Sequence, residues 1–119
     1  MCIRDSYDTS DGTGIRDYIH VEDLARGHLK ALNYMKCNSE LLVSNLGTGK
    51  GYSVLEILEH FELASNVRIP YEFVERRQGD VAVCFADASL ASEKLNWQAQ
   101  FNLTKMCQDA WKWHKNSID

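Results

Sequence analysis

Three arginines and one aspartate in this 119-residue chain have the types and neighbours to grip a phosphorylated ligand. Arg76 and Arg77 lie in the charged stretch Glu75–Asp80 (ERRQGD), which ends in Gly79-Asp80, and Arg16 follows the turn residues Asp11-Gly12-Thr13-Gly14. A guanidinium is planar, stays charged and offers paired N–H donors that match a phosphate, which an ammonium does not. A carboxylate a few residues away accepts hydrogen bonds from sugar hydroxyls. Arg77 with Asp80 therefore suits a nucleoside diphosphate. The same residue types also make an ordinary solvated loop, and residue types alone favour that plainer reading.

A second candidate is the glycine loop Gly47-Thr48-Gly49-Lys50-Gly51. A strand, a glycine loop and a helix in that order suit phosphate binding, because a helix N-terminus presents free N–H groups. The dinucleotide fingerprint G-x-G-x-x-G requires a third glycine where Tyr52 stands, and the P-loop requires Ser or Thr where Gly51 follows Lys50. Both matches fail, and a tight turn is the better reading.

The remaining reactive side chains form no constellation. His20, His28, His60 and His114 are scattered, and none pairs with a second His or Cys at ligand spacing, so no metal site is expected. His28 sits on an apolar stripe and reads as a core histidine. No Ser–His–Asp or Cys–His arrangement follows from spacing. Cys2, Cys37, Cys84 and Cys107 contain no C-x-x-C pair and read as four reduced thiols in a cytoplasmic protein. Trp97, Trp111 and Trp113 lie in C-terminal helical stretches, where filling the core is the expected role.

Composition narrows the classes further. Thirteen Lys+Arg against seventeen Asp+Glu give a net charge of -4, which argues against non-specific nucleic-acid binding. No apolar run approaches the ~20 residues of a membrane span. The start, with Arg4, Asp5, Asp8 and Asp11, has no apolar signal-peptide core. A single domain with one core is expected at this length.

The elements that must position these residues read as β, α, β, α, β, β, α, α. Met1 to Gly14 is polar and turn-rich. Residues 16–21 (RDYIHV) alternate as a short strand. Val21, Leu24, Ala25, His28, Leu29, Leu32 and Met35 then recur at helical spacing as one buried stripe. Residues 41–46 (LLVSNL) read as a buried strand. Ser53 and Glu56 spell a capping box ahead of a helix that buries Val54, Ile57, Leu58, Phe61 and Ala64. Pro70 permits only an edge strand over 70–74, and residues 81–86 (VAVCFA) read as another strand. Asp87 is expected to cap a helix with Leu90, Ala91 and Leu95 inward. The last helix begins near Asn102 or Thr104 and turns Leu103, Met106, Cys107, Ala110, Trp111 and His114 inward. This is α/β, with too few strands to cover a parallel sheet on both faces.

Longer stretches carry a resemblance. DGTGIRDYIHVEDLARGH (11–28), SNLGTGKGYSVLEI (44–57), ERRQGDVAVCFADASLASEKLNW (75–97) and CQDAWKWHK (107–115) occur in an order that resembles the UDP-glucose 4-epimerase family of extended short-chain dehydrogenase/reductases. The resemblance runs from Tyr7 almost to the end. The RDYIHV-x-DLA stretch is rather specific to 4-epimerases, whereas the Arg-x-Gly-Asp loop is shared more widely among nucleotide-sugar enzymes.

That resemblance implies the C-terminal substrate-binding part of an extended Rossmann-type enzyme, with few short strands and about four helices. It implies that the whole enzyme inverts sugar carbon 4 by NAD-dependent hydride removal and return through a 4-keto intermediate. The family's Gly-x-x-Gly-x-x-Gly loop and Tyr-x-x-x-Lys pair do not occur here, since Tyr34 is followed four residues later by Asn38. Residues 7–119 are thus expected to be a UDP-sugar-binding portion without catalytic residues and inactive alone, with NAD held by an absent N-terminal domain and a homodimeric parent. By the same resemblance Arg16 and Arg77 match the arginines on the diphosphate, Asp80 the acid on the ribose, and Tyr18 and Val54 residues lining the UDP-sugar site. Cys84 stands where some members have a bulky Tyr beside the sugar, which implies room for an N-acetylated hexose. Residues 1–6 (MCIRDS) do not resemble the family and are expected to be a non-native leader. A related dehydratase or decarboxylase, or a stand-alone nucleotide-sugar-binding module, are the alternatives.

Overall fold

The computed structural model describes residues 1–117. In chain order the elements are β1 (Cys2–Arg4), β2 (Ile15–Asp17), α1 (Val21–Cys37), β3 (Gly51–Ser53), α2 (Val54–Ser65), β4 (Glu72–Val74), β5 (Val83–Cys84), α3 (Ser89–Leu95) and α4 (Leu103–Asn116). The strands form two small sheets. β1 pairs in parallel with β4, and β2 lies between antiparallel β3 and parallel β5.

The helix ends follow from local chemistry. Ser53 Oγ accepts from Glu56 N at 3.1 Å while Glu56 Oε2 accepts from Ser53 N at 2.7 Å, so the expected capping box starts α2. Asn66 stops that helix in the left-handed conformation (φ 55°), which Asn tolerates better than most residues. Asn102 caps α4 through Oδ1, which accepts from Lys105 N at 3.0 Å. The start of α1 is capped by His20, whose Nδ1 accepts from Glu22 N at 3.0 Å.

The core has two parts. Ala91, Leu95 and Trp97 form a buried cluster against which Ile19, Ala31, Tyr34, Leu42 and Leu46 pack. Gly27 lets α1 sit close to this cluster: a Cβ there would lie 2.6 Å from Leu46 Cδ1, so a larger residue would turn the Leu46 side chain aside. Trp97 is buried as expected, and its Nε1 donates to Asp23 O at 3.0 Å. The second part lies where α2 packs on α4, with Leu58, Leu103 and Cys107 buried and Phe61 meeting Trp111 edge-on at 6.3 Å.

Several expectations are corrected. The apolar stripe of α1 is not buried: Val21 is 73% exposed, and Leu29, Leu32 and Met35 also face outward, while Asp23 and Gly27 form the inward edge. His28 is exposed rather than in the core, and its Nδ1 lies 2.8 Å from Leu24 O. Residues 41–46 form no strand, with Leu41 90% exposed; only Leu42 and Leu46 pack inward. Periodicity identifies an apolar face but not what lies against it. The strand expected over 16–21 is Ile15–Asp17, because His20 is already the cap of α1. The strand expected over 81–86 shrinks to Val83–Cys84, both exposed. Cys2–Arg4 forms β1 inside the stretch read as turns. Asp87 is not the cap of α3; that position is Ala88, and Asp87 Oδ1 accepts from Ser89 N at 2.9 Å. Trp113 is 71% exposed, and Ala110 and His114 are exposed on α4.

Candidate nucleotide-sugar site

The site grows from the turn that precedes β2. Asp11 Oδ1 accepts from both Thr13 N and Thr13 Oγ1 at 2.8 Å, and Ser53 Oγ donates to Asp11 Oδ2. Burial alone would raise the Asp11 carboxyl, but these donors outweigh it and hold the group below its ordinary value. Thr13 is fully buried, and its Oγ1 in turn accepts from Val54 N at 3.1 Å. Val54, half-buried at the first turn of α2, is therefore locked to the turn that delivers β2.

Arg16 sits on β2 with its guanidinium folded along the sheet. Its Nη1 donates to Ile15 O at 2.8 Å and to Ala82 O at 3.4 Å. A Cβ on Gly14 would lie 3.3 Å from Arg16 Nη1, so a larger residue there would press on the guanidinium. Cys84 on β5 is the register partner of Arg16 and is exposed.

The charged loop comes back to the same region. Tyr7 Oη donates to Asp80 Oδ2 at 2.8 Å, and Arg76 Nη2 donates to Asp80 O at 2.6 Å. The Arg76 guanidinium also stacks on the Tyr7 ring at 4.5 Å. Burial and then the Asp80 carboxylate push the Tyr7 phenol above its ordinary value, opposed by Arg76 and Arg16. Among the described residues nothing holds the Arg77 side chain by a hydrogen bond or ion pair, and it is exposed. Gly79, at φ 86°, allows the turn between Arg77 and Asp80.

Of the residues expected at the site, Arg16 and Cys84 are register partners across β2–β5, Asp80 is held by Tyr7 ahead of β5, Arg77 is exposed on the loop that leads into Asp80, and Val54 is tied in through Thr13. Tyr18 is separate. It lines an open groove of about 1160 Å³ with Phe61, Met106 and Trp111, and burial raises its phenol pKa. The contributors that sequence reasoning missed are Tyr7, Asp11 and Thr13. Their partners lie 73 residues away for Tyr7–Asp80 and 42 for Asp11–Ser53, and no local spacing signals such pairs.

The glycine loop is a turn, and its amides are used internally. Thr48 N and Gly49 N donate to the Asp17 carboxylate at 3.0 Å, and Ala86 N does so at 3.2 Å. Gly47 is required there, since a Cβ would lie 2.5 Å from both Asp17 Oδ2 and Ala86 Cβ.

Known proteins share this chain's sequence and fold. The sequence profile of the GDP-mannose 4,6 dehydratase family matches residues 4–110. The UDP-glucose 4-epimerase of Haemophilus influenzae is 57% identical over 111 residues, covering 93% of this chain and 33% of that protein. The human UDP-glucose 4-epimerase is 54% identical over 111 residues, covering 93% and 32%. The crystal structure of the Stenotrophomonas maltophila UDP-glucose 4-epimerase, with bound NAD and formylated UDP-arabinopyranose, superposes with a TM-score of 0.93 at 50% identity, covering 99% of this chain and 35% of that one. The Bifidobacterium longum enzyme in complex with NAD+ and UDP gives 0.90 at 43% identity, covering 98% and 35%. The chain spans about a third of the length of these relatives. With its profile match across most of the sequence and a fold shared with these epimerases, the chain belongs to the GDP-mannose 4,6 dehydratase family.

Proposed function

We propose that residues 7–119 form the UDP-binding portion of a UDP-hexose 4-epimerase. What supports this is the placement of Arg16 and Cys84 across the β2–β5 pair, of Asp80 held by Tyr7 ahead of β5 and of Arg77 on the loop leading into Asp80, in a fold two of whose solved relatives hold UDP or a UDP-sugar. Arg16 and Arg77 take the diphosphate, each guanidinium replacing water with charge-assisted hydrogen bonds. Arg77, exposed and unengaged, closes on the ligand when it arrives. Asp80 accepts from the ribose hydroxyls. Val54 belongs to the wall around the nucleotide sugar, and Tyr18, two residues on from Arg16, extends that wall toward the groove it lines with Phe61 and Trp111. Relatives at half identity or more include UDP-glucose 4-epimerases, which favours that reaction over a dehydratase or decarboxylase.

The one glycine loop that precedes a helix has spent its amides on the Asp17 carboxylate, whose charge would repel a dinucleotide phosphate. In this proposal NAD, the hydride carrier, is bound by residues beyond 7–119, and the chain's own work is to bind and orient UDP.

Cys84 beside Arg16 sets the sugar range. A cysteine there leaves space that a tyrosine would fill, so the enzyme accepts UDP-N-acetylhexosamines as well as UDP-galactose. Turnover of UDP-galactose without turnover of UDP-N-acetylgalactosamine would contradict this. No helix among the described residues is long and apolar enough to cross a membrane. The whole enzyme is proposed to be a cytoplasmic homodimer, a state that sedimentation would check.

The test is a chimera in which residues 7–119 replace the matching third of the Haemophilus influenzae enzyme. Interconversion of UDP-galactose and UDP-glucose by the chimera, with none by the 119 residues alone, is expected. A folded chimera without turnover, or turnover by the isolated chain, would overturn the proposal.

A further inference from the structure

We infer that Tyr7 is a positioning residue for nucleotide recognition: its hydroxyl and its ring together set Asp80 and segregate the two adjacent arginines into a structural one and a ligand-binding one. The inference rests on the UDP-site reading and adds to it a residue outside the arginine–aspartate set.

The geometry is a two-point clamp. Tyr7 is only 7% exposed, and its backbone is fixed at both ends, with Tyr7 N donating to Gly12 O at 3.0 Å and Tyr7 O accepting from Thr9 N at 2.9 Å. Gly12 belongs to the turn that Asp11 and Thr13 bolt to Ser53 and Val54 at the start of α2. The phenol is therefore a rigid post standing on the scaffold. Its hydroxyl donates to Asp80 Oδ2 at 2.8 Å, and its ring carries the Arg76 guanidinium at 4.5 Å. Arg76 reaches back to Asp80 O at 2.6 Å, so the loop is held by its carboxylate and its backbone against one side chain.

The consequence for binding is chemical. A carboxylate has about four lone-pair sites on two oxygens. With one Oδ2 site taken by Tyr7, the remaining sites, Oδ1 above all, stay available for a vicinal diol. Without the phenol, Asp80 follows the flexible Gly79 and is held only through backbone, by Asp80 N to Arg77 O at 3.4 Å and by Arg76. Its carboxylate is then free to turn onto a neighbouring guanidinium. That would cost the ribose its acceptor. Stacking on Tyr7 likewise keeps Arg76 on the loop and leaves Arg77 as the arginine that meets the ligand.

The test compares UDP with 2′,3′-dideoxy-UDP as inhibitors of the catalytically active chimera, for the parent, Tyr7→Phe and Asp80→Asn. Tyr7→Phe keeps the ring and the Arg76 stack and removes only the hydroxyl. The parent should prefer UDP over the dideoxy analogue. Tyr7→Phe should weaken UDP by about tenfold, leave the dideoxy analogue nearly unchanged, and move KM for UDP-galactose rather than kcat. Tyr7→Leu, which also removes the stack, should weaken both nucleotides. A thermal melt identifies any variant whose loss is one of folding, because a folding defect would weaken both nucleotides alike in Tyr7→Phe. Equal affinity of the parent and Tyr7→Phe for UDP, or an equal loss for both nucleotides, would overturn the inference. Failure of the parent chimera to turn over substrate would instead count against the UDP-site reading itself.

Discussion

Arg16 and Cys84 face each other as register partners across the parallel pair β2–β5. One is the cation proposed for the diphosphate and the other is an exposed thiol, so a reagent for thiols reports on the site. Cys84 should alkylate readily in the chimera and be protected by UDP-galactose. Cys107 is buried, and burial raises its thiol, so it should react slowest. Peptide mass spectrometry with and without ligand reads both outcomes; alkylation of Cys84 at an unchanged rate under saturating UDP-galactose would put it away from the sugar.

Asp17 organises the glycine loop. It accepts from Thr48 N, Thr48 Oγ1, Gly49 N and Ala86 N, and so ties the end of β2 to two later segments. Asp17→Ala leaves those donors without their acceptor and should cost about 2–4 kcal/mol. Gly47→Ala should also destabilise, because its Cβ would meet Asp17 and Ala86 at 2.5 Å. Urea unfolding of each variant in the chimera measures both effects.

Asp23 plays the same part at the other core. It is fully buried on α1, accepts from Gln100 N and Phe101 N at 3.0 Å, and pairs with Arg26. Removing it strands two amides and a guanidinium, and Asp23→Ala should cost about 3 kcal/mol or more. Leu29→Ala on the exposed stripe of α1 should cost far less in the isolated 119 residues.

Acid should weaken the turn that supports the site. The Asp11 carboxyl lies below its ordinary value in the folded chain, so it binds a proton less readily folded than unfolded. Its contribution is present above the unfolded value near pH 4 and is lost as pH falls through the lower folded value. Asp109, held below its ordinary value first by Lys105 and then by His20, acts in the same direction. Melting temperature should therefore drop below about pH 4, and Asp11→Asn should flatten that drop.

Local features were legible where cause and effect are close in sequence. The Ser53–Glu56 capping box, the start of the last helix near Asn102 and the loop over 75–80 all appear as expected. What hides from sequence is partnership at a distance. Asp11, Asp17 and Asp23 look like surface acids, yet each closes a turn or loop through donors 31 to 78 residues away, apart from the local Thr13 and Arg26. The exposed Val21, Leu32 and Leu41 show the opposite failure, since an apolar pattern marks a face to be covered and does not supply its cover. At the proposed site, Arg77 and Asp80 are singled out by residue type and by resemblance, whereas Tyr7, which holds Asp80, carries no motif.

The central claim is that Arg77 and its neighbours bind the UDP diphosphate. Calorimetric titration of UDP into the active chimera and its Arg77→Ala variant tests it most directly. Loss of a charge-assisted contact of about 1.5–3 kcal/mol predicts a Kd weakened by roughly 10- to 100-fold. A variant that stays folded and binds UDP with the parent's affinity would contradict the account.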